Sequence, residues 1–338
     1  MQSTAAKKKP PFPANGSEKD QLRFLLGYAI QAPSGHNSQP WLFRLRDDAV
    51  ELYADRRRAL PVVDPQDREL TMSCGAALDH LAVAARYFGR APVLEPLPDE
   101  GDTDLLAVFR LGHAVTPDEE DRALFDAIPE RRTTRHAFEQ RRLPPPLQAR
   151  CRELAAREGA ELTLVGDDAT KAEIADLVAE GDRSQFADAG FRRELASWVH
   201  SRRSESRDGM SGEAFGVPDV LSPVGALVIR TFDLGNGVAA GDAKKIMAGS
   251  PLLAILSTPE DGVAHWLRAG RALSRVLLRL AADGATAAYL NQPLETPQLR
   301  PLLQDVMGTD DAPQLLLRLG YGPKTKASVR RPLTEVLI

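Results

Sequence analysis

The chain is short of most features that would announce a function. Cys74 and Cys151 are its only cysteines, with no Cys-x-x-Cys pair and no framework to staple, so buried thiols in a reducing compartment are expected. The histidines, His36, His80, His113, His136, His200 and His265, show no His-x-x-x-His spacing, and no metal site is expected. No run of about 18 apolar residues occurs, so no spanning helix and no membrane partner are expected. Charge of one sign is not in excess: the net charge is -4 and the pI near 5.9, which offers nucleic acid or an anionic surface no long-range attraction. No Gly-x-Ser-x-Gly elbow is present, which disfavours a hydrolase.

Lys7, Lys8 and Lys9 are followed by Pro10-Pro11-Phe12-Pro13 rather than by an apolar run of signal-peptide length. A cytoplasmic protein with a solvated, disordered tail over residues 1–16 is expected.

What is present is globular: 43% hydrophobic and 27% charged over 338 residues, long for one core, so two lobes are expected. Ser17 with Asp20 reads as a capping box opening a helix whose apolar positions include Leu22, Leu25, Leu26 and Ala29. Strands are expected at Trp41 to Leu45, Val50 to Tyr53, Val93 to Leu97 and Leu105 to Leu111. A long helix with many small residues is expected from Leu70 to Phe88. Thr116-Pro117, Thr258-Pro259 and Thr296-Pro297 read as helix starts, with threonine as cap and proline at the first helical position. A second lobe, residues 129–338 after a first over 17–128, repeats the pattern. Its helices are expected near Pro145 to Arg157, Lys171 to Glu180, Phe191 to His200, Pro259 to Ala282 and Pro297 to Val306. Its strands are expected at Glu161 to Val165, Leu252 to Leu256, Ala285 to Leu290 and Gln314 to Leu319. Strand counts thus match between the halves.

Residues 201–250 break the regularity with glycine, serine and proline, and only Ala226 to Phe232 reads as an apolar strand. A long irregular insertion of this kind is expected to act as a lid. Gly235-x-Gly237-x-x-x-Gly241 hints at a dinucleotide loop, but its setting is irregular and no clear second strand precedes the acids at Glu260 and Asp261. The tail ends in Val336-Leu337-Ile338, β-capable and able to extend the other lobe's sheet.

Two polar stretches carry the chemistry. Ala32-Pro33-Ser34-Gly35-His36-Asn37-Ser38-Gln39-Pro40-Trp41 is a stiffened turn with amides and short polar side chains free to face a ligand. In Arg131-Arg132-Thr133-Thr134-Arg135, the residues Arg131, Thr133 and Arg135 fall on one side of an extended segment, an outline of a phosphate cradle. The first stretch resembles the Ala-Pro-Ser-x-x-Asn-x-Gln-Pro-Trp signature of FMN-dependent nitroreductases. The second resembles that family's Arg-Arg-Ser-x-Arg opening, with threonine for serine. Trp266 to Gly270, Leu290-Asn291-Gln292-Pro293, Leu319 to Gly322 and Arg330-Arg331-Pro332-Leu333 resemble further family words in the same order.

The words are divided between the halves: the first lobe has the Pro33 loop without a cradle, and the second has the cradle but reads Ala156 to Ala160 where the loop would be. This resembles the fused, Acg-like branch of the family. The fold it implies is α+β, two tandem lobes with antiparallel sheets flanked by helices, a pseudo-dimer in one chain, with further oligomerisation left open. It also implies one composite FMN site, with the counterpart site dead. On this resemblance Arg131, Thr133, Arg330 and Arg331 serve the flavin phosphate, and Arg135 the phosphate or the N1 and C2 edge. Pro33, Ser34, Asn37 and Gln39 reach over from the first lobe, and Leu290 and Asn291 meet N5. His36 is a proton donor or a plain turn residue. Catalysis needs no protein acid, since hydride chemistry belongs to the flavin. NADH or NADPH is the implied donor, and a nitro compound, quinone or similar small flat molecule the acceptor. The alternative is a protein that stores or sequesters FMN beneath the lid with little turnover.

Overall fold

A computed structural model describes residues 11–338. The capping box opens α1 (Glu18–Ala29): Ser17 Oγ accepts the Asp20 N–H and an Asp20 carboxylate oxygen accepts the Ser17 N–H, both at 3.2 Å. There follow β1 (Trp41–Leu45), β2 (Ala49–Ala54), α2 (Arg68–Tyr87), β3 (Arg90–Pro96), β4 (Leu105–Ala114) and α3 (Glu119–Ala127). The second half runs α4 (Pro145–Ala156), β5 (Glu161–Val165), α5 (Asp168–Ala187), α6 (Ala189–Ser197), α7 (Ser222–Thr231), α8 (Gly235–Gly249) and β6 (Leu252–Thr258). It ends with α9 (Val263–Ala282), β7 (Thr286–Tyr289), α10 (Gln292–Glu295), α11 (Arg300–Met307), β8 (Ala312–Gly320) and α12 (Leu333–Val336). Two four-stranded antiparallel sheets result, ordered β1-β2-β4-β3 and β5-β6-β8-β7. The identical order makes the internal repeat explicit and agrees with the α+β, two-lobed expectation.

Helices α2 and α9 lie between the sheets and cross where their glycines meet. A methyl group at Gly75 would collide with the Leu267 carbonyl, and one at Gly270 with that of Met72. These reciprocal contacts mark the approximate twofold relation of the halves. Each helix buries leucines and alanines around the crossing, such as Leu78 and Leu81 on α2 and Leu273 and Leu277 on α9. Small residues here let the backbones approach, and the neighbouring large ones fill the space on either side. The chain then returns to its start: Leu337 forms a parallel bridge with Phe43, and the Ile338 N–H donates to the Phe43 carbonyl at 3.0 Å. The end of the second half therefore meets the edge of the first sheet through one isolated bridge, while Val336, expected in an edge strand, lies in α12.

Several local readings are corrected. Residues 226–232 are not a strand. They belong mostly to α7, which opens with Pro223 near its N-terminus and leaves Val224 and Leu227 more than half exposed. The Gly235 stretch is the start of α8 and not a turn after a strand. Asp118 caps α3 through a box with Asp121, and Gly262 precedes α9, so Thr116 and Thr258 are not the caps; likewise α11 starts at Arg300 rather than at Pro297. Of the expected tail, residues 1–10 lie outside the described residues. Residues 11–16 are held, because the Phe12 ring stacks on Phe88 at 4.5 Å and the Gln21 side chain donates to the Ala14 and Gly16 carbonyls.

Candidate functional site

The Pro33 to Gln39 turn leaves α1 and is wound tightly, with His36, Asn37 and Gln39 all in the left-handed region (φ 50°, 56° and 53°). Ser34 Oγ holds this shape by accepting the Gln39 N–H at 2.9 Å, and Gly35 N–H points to Ser73 Oγ of α2 at 3.4 Å. Left-handed backbone at residues other than glycine costs roughly 1–3 kcal/mol each and persists where surrounding bonds over-determine it. Those bonds are present. Asn37 Nδ2 donates to the carbonyls of Gly209 (3.0 Å) and Val329 (3.2 Å), and its Oδ1 accepts from Arg330 at 2.8 Å. Gln39 is fully buried, donates to the Arg207 carbonyl at 2.9 Å, and accepts the Arg331 N–H at 2.8 Å. The amides expected to face a ligand are therefore bonded to protein: they clamp the turn to the tail at 329–331 and to the insertion at 207–209. Pro33 is buried behind them.

The Arg131 to Arg135 segment runs beside the second sheet, with Thr133 bridging Ala287 in parallel and Thr134 N–H donating to the Ala287 carbonyl at 3.1 Å. Its two outer arginines part company. Arg131 is buried with its Nε and one Nη lacking any partner. Burial lowers its pKa, and the surrounding charges that act on it are Tyr289 and the like charge of Arg132. Arg330 is pushed down to about 9, first by burial and then by Arg131 and Arg132. Neither Arg131 nor Arg330 has a carboxylate partner among the described residues. Their field also reaches His80 of α2, whose pKa burial and these two arginines lower to about 3. A buried guanidinium with orphaned donors, in the field of a second, half-buried one and with no carboxylate partner on either, is costly unless an anion joins them.

Arg135 belongs to a second group. Its guanidinium carbon lies 5.1 Å from the Phe215 ring centroid, and an Nη is 3.1 Å from the Met210 sulfur, both residues of the 201–250 insertion. His36 faces the same cation, and its pKa falls to about 4, by burial first and Arg135 second. His36 is half-buried and Arg135 is exposed, so neither is sealed in packing. Met210 and Phe215 lie against Arg135. A salt bridge of 2.7 Å from Arg58 to Asp208 ties the insertion to the first lobe.

Arg331 is not with Arg131. It is buried against the Gln39 and Glu335 carbonyls, with Asp55 at 3.8 Å, so its charge is answered inside the protein. Leu290 N–H is bonded to Leu316 in the sheet. Asn291 is fixed at both ends, its Nδ2 donating to Glu69 at 2.9 Å and its Oδ1 accepting the Leu316 N–H at 3.1 Å. Tyr289, Glu69, Ser73, Met210 and Phe215 were not foreseen. No local motif marks them, and only the alternation of β7 would have placed Tyr289 on the same strand as the Leu290 loop. Among the described residues there is no cluster fit for a metal ion and no helix long and apolar enough to cross a membrane.

No family model matches the chain. Among curated proteins, Rv3131 of Mycobacterium tuberculosis (strain ATCC 25618 / H37Rv), provisionally named an NAD(P)H nitroreductase, is 33% identical over 330 residues, covering 95% of this chain and 92% of that protein. The chain belongs to the nitroreductase family. The nitroreductase Acg of the same organism, also provisionally named, is 29% identical over 94% of this chain and 95% of its own length, in line with the Acg-like resemblance of the sequence. Among solved structures, the FMN and NADPH-dependent nitroreductase NfnB from a sphigopyxis strain matches 63% of this chain and 96% of its own, at 21% identity and a TM-score of 0.43. This nitroreductase chain matches those two curated relatives along nearly their whole length.

Proposed function

We propose that this protein is an FMN-binding oxidoreductase that takes hydride from NADH or NADPH and passes electrons to a nitro, quinone or similar flat acceptor, at one composite site between its halves. The observation that carries the reading is Arg131, buried with orphaned donors in the field of the half-buried Arg330, with no carboxylate partner on either among the described residues. A phosphate dianion supplies what those donors lack. Thr133 sits on the same segment, while Arg331 contributes through backbone and packing. Arg135 and His36 suit the ring end of the flavin, where a cation stabilises charge gathering on a reduced pyrimidine edge. The flavin, once bound, supplies hydride acceptance and donation; the protein binds, orients and shields it. Free, buried Cys74 and Cys151 fit the cytoplasm.

The counterpart position supports a single site. In the second half the stretch Ala156 to Ala160, where the loop would be, holds Gly159 in the left-handed region. Glu158 there is tied to Arg271 at 2.7 Å and Arg275 at 2.8 Å, and Arg275 also meets Asp79 at 2.9 Å. These cations have carboxylates of their own and no need of a phosphate.

The bonds from Asn37, Gln39 and Arg58 to residues 207–209 also favour a second reading, a flavin-storing protein whose cover seldom opens. One experiment separates the readings: anaerobic titration of the FMN-loaded protein with NADPH. Bleaching of one flavin per chain supports the reductase. A yellow protein that does not bleach supports storage. Failure to bind FMN, or binding of two per chain, overturns the composite site.

A further inference from the structure

The two sheets repeat one another, but two of their outer edges are finished differently. Strands β1 and β5 occupy the same position in the two sheet orders, and their registers correspond residue by residue. Phe43 pairs with Leu52 of β2, directly after which the β2–β4 register shifts. Leu162 pairs with Leu256 of β6, directly after which the β6–β8 register shifts. Leu162 is therefore the counterpart of Phe43, and each side chain is buried in the core of its own half.

In the first half this edge is covered. The Phe43 carbonyl accepts the Ile338 N–H at 3.0 Å, Leu337 forms the parallel bridge to Phe43, and Val336 is fully buried in the first core. The Phe43 carbonyl thus points out of the sheet, away from β2. In an antiparallel pair the N–H and C=O of one residue point to the same side, so the equivalent pairing turns those of Leu162, and of Leu164 two residues on, outward from β5.

Among the described residues β5 carries no bridge on that side, and no backbone group from outside its sheet bonds to Leu162 or Leu164. Connectivity is the reason. The segment after β8 is free to cross to β1, whereas the segment after β4 is consumed by α3 and the Arg131 stretch on its way into α4. What remains is an open groove of about 590 Å3, lined by the length of β5, by the exposed Arg152 and Ala156 of α4, and by Pro259 and Asp311. Edge strands are ordinarily blunted by proline, lysine or a bulge, and Glu161-Leu162-Thr163-Leu164-Val165 has none of these.

We propose that the β5 edge binds an extended segment of another polypeptide, running parallel to β5 and carrying adjacent aliphatic residues as Val336, Leu337 and Ile338 do against β1. Main-chain bonds to Leu162 and Leu164 supply affinity, and the groove beside α4 takes the aliphatic side chains. Arg152, Glu161 and Asp311 in the lining are of mixed sign, so the aliphatic residues and not charge set the selection. A second copy of the chain has its own tail engaged at β1, so the segment belongs to a different protein. Flavin binding has no part in the inference.

The probe is a fluorescent peptide with the sequence of residues 332–338, added to the full-length protein. Polarisation is expected to show saturable binding of one peptide per chain, with hydrogen exchange slowed at the amides of Leu162 and Leu164. Ala156→Trp fills the groove from the exposed end of α4, and Leu164→Pro removes one outward donor from an edge strand, where proline is tolerated. Each is expected to weaken binding by about tenfold, as is Leu337→Asp within the peptide, while circular dichroism shows both protein variants folded. A peptide that does not bind, or that slows exchange in β1 in place of β5, overturns the proposal. Unweakened binding to both folded variants overturns it as well. Protection of β5 that grows with protein concentration in the absence of peptide would give the edge to a second copy and overturn the choice of partner.

Discussion

Arg330 donates to the Asn37 side-chain oxygen at 2.8 Å, joining the tail of the second half to the site turn of the first. The same guanidinium reaches the Gln31 and Ala32 carbonyls and lies in the field of Arg131. Arg330 thus closes the turn and, on the proposed function, also charges the anion site. Its neighbour Arg131 has the second role alone, and that difference is testable.

Replacing Arg131 with methionine is expected to weaken FMN binding by about 2–3 kcal/mol, since a charge-assisted contact to phosphate is lost. The flavin-free protein is expected to gain about 1 kcal/mol of stability, because an uncompensated buried charge is removed. Arg330→Met is expected to lose both affinity and stability. Fluorescence titration and urea unfolding of the FMN-free proteins check this. A destabilised Arg131→Met would mean that its charge is already satisfied within the protein.

Phe215 and Met210 lie against Arg135, and Asp208 of the same insertion is paired with Arg58. Asp208→Asn is expected to speed flavin reduction by NADPH several-fold and leave FMN affinity nearly unchanged, because opening of the cover precedes nicotinamide stacking. Stopped-flow reduction under argon measures it. An unchanged rate would show that the cover does not limit access.

The glycine crossing makes a stability prediction with its own control. Gly75→Ala drives a methyl into the Leu267 carbonyl, where both partners are backbone, and about 2–4 kcal/mol of destabilisation is expected. Gly27→Ala on α1, with nothing within 4 Å of the added carbon, is expected to stabilise by about 0.5–1 kcal/mol. Urea midpoints of the two variants should move in opposite directions.

Asp182 on α5 is buried and bonded to Gln292 at 3.0 Å, and Gln292 also reaches Asp242 of α8 at 3.3 Å. Burial, then Asp242, raises the Asp182 pKa to about 7. A raised acid binds its proton more tightly in the folded state, so stability falls as pH climbs from the ordinary carboxyl range to about 7. Amides of α8 are therefore expected to exchange faster at pH 8 than at pH 6, after correction for intrinsic rates, and Asp182→Asn should remove the difference. A variant that keeps it would place the pH sensitivity elsewhere.

Much of the frame was legible because it is local. The Ser17–Asp20 box, the alternation of the strands and the small-residue face of α2 each lie within a few residues, and repetition of four strands per half followed from them. The composition of residues 226–232 misled for the same reason. Val, Leu and Ile favour a strand locally, yet α7 leaves Val224 and Leu227 exposed, and no single-face burial enforced the pattern. The site turn and the Arg131 segment were legible as polar words, but not the use made of each side chain. Asn37 and Gln39 could face a ligand or hold the turn, and only the arrival of 329–331 and 207–209 decided for holding. Arg330 and Arg331 are adjacent in sequence, and the backbone aims one at Arg131 and the other at Asp55. Local propensity and periodicity determined the elements; the pairing and burial of charge, which depend on distance in space, were decided by the tertiary structure.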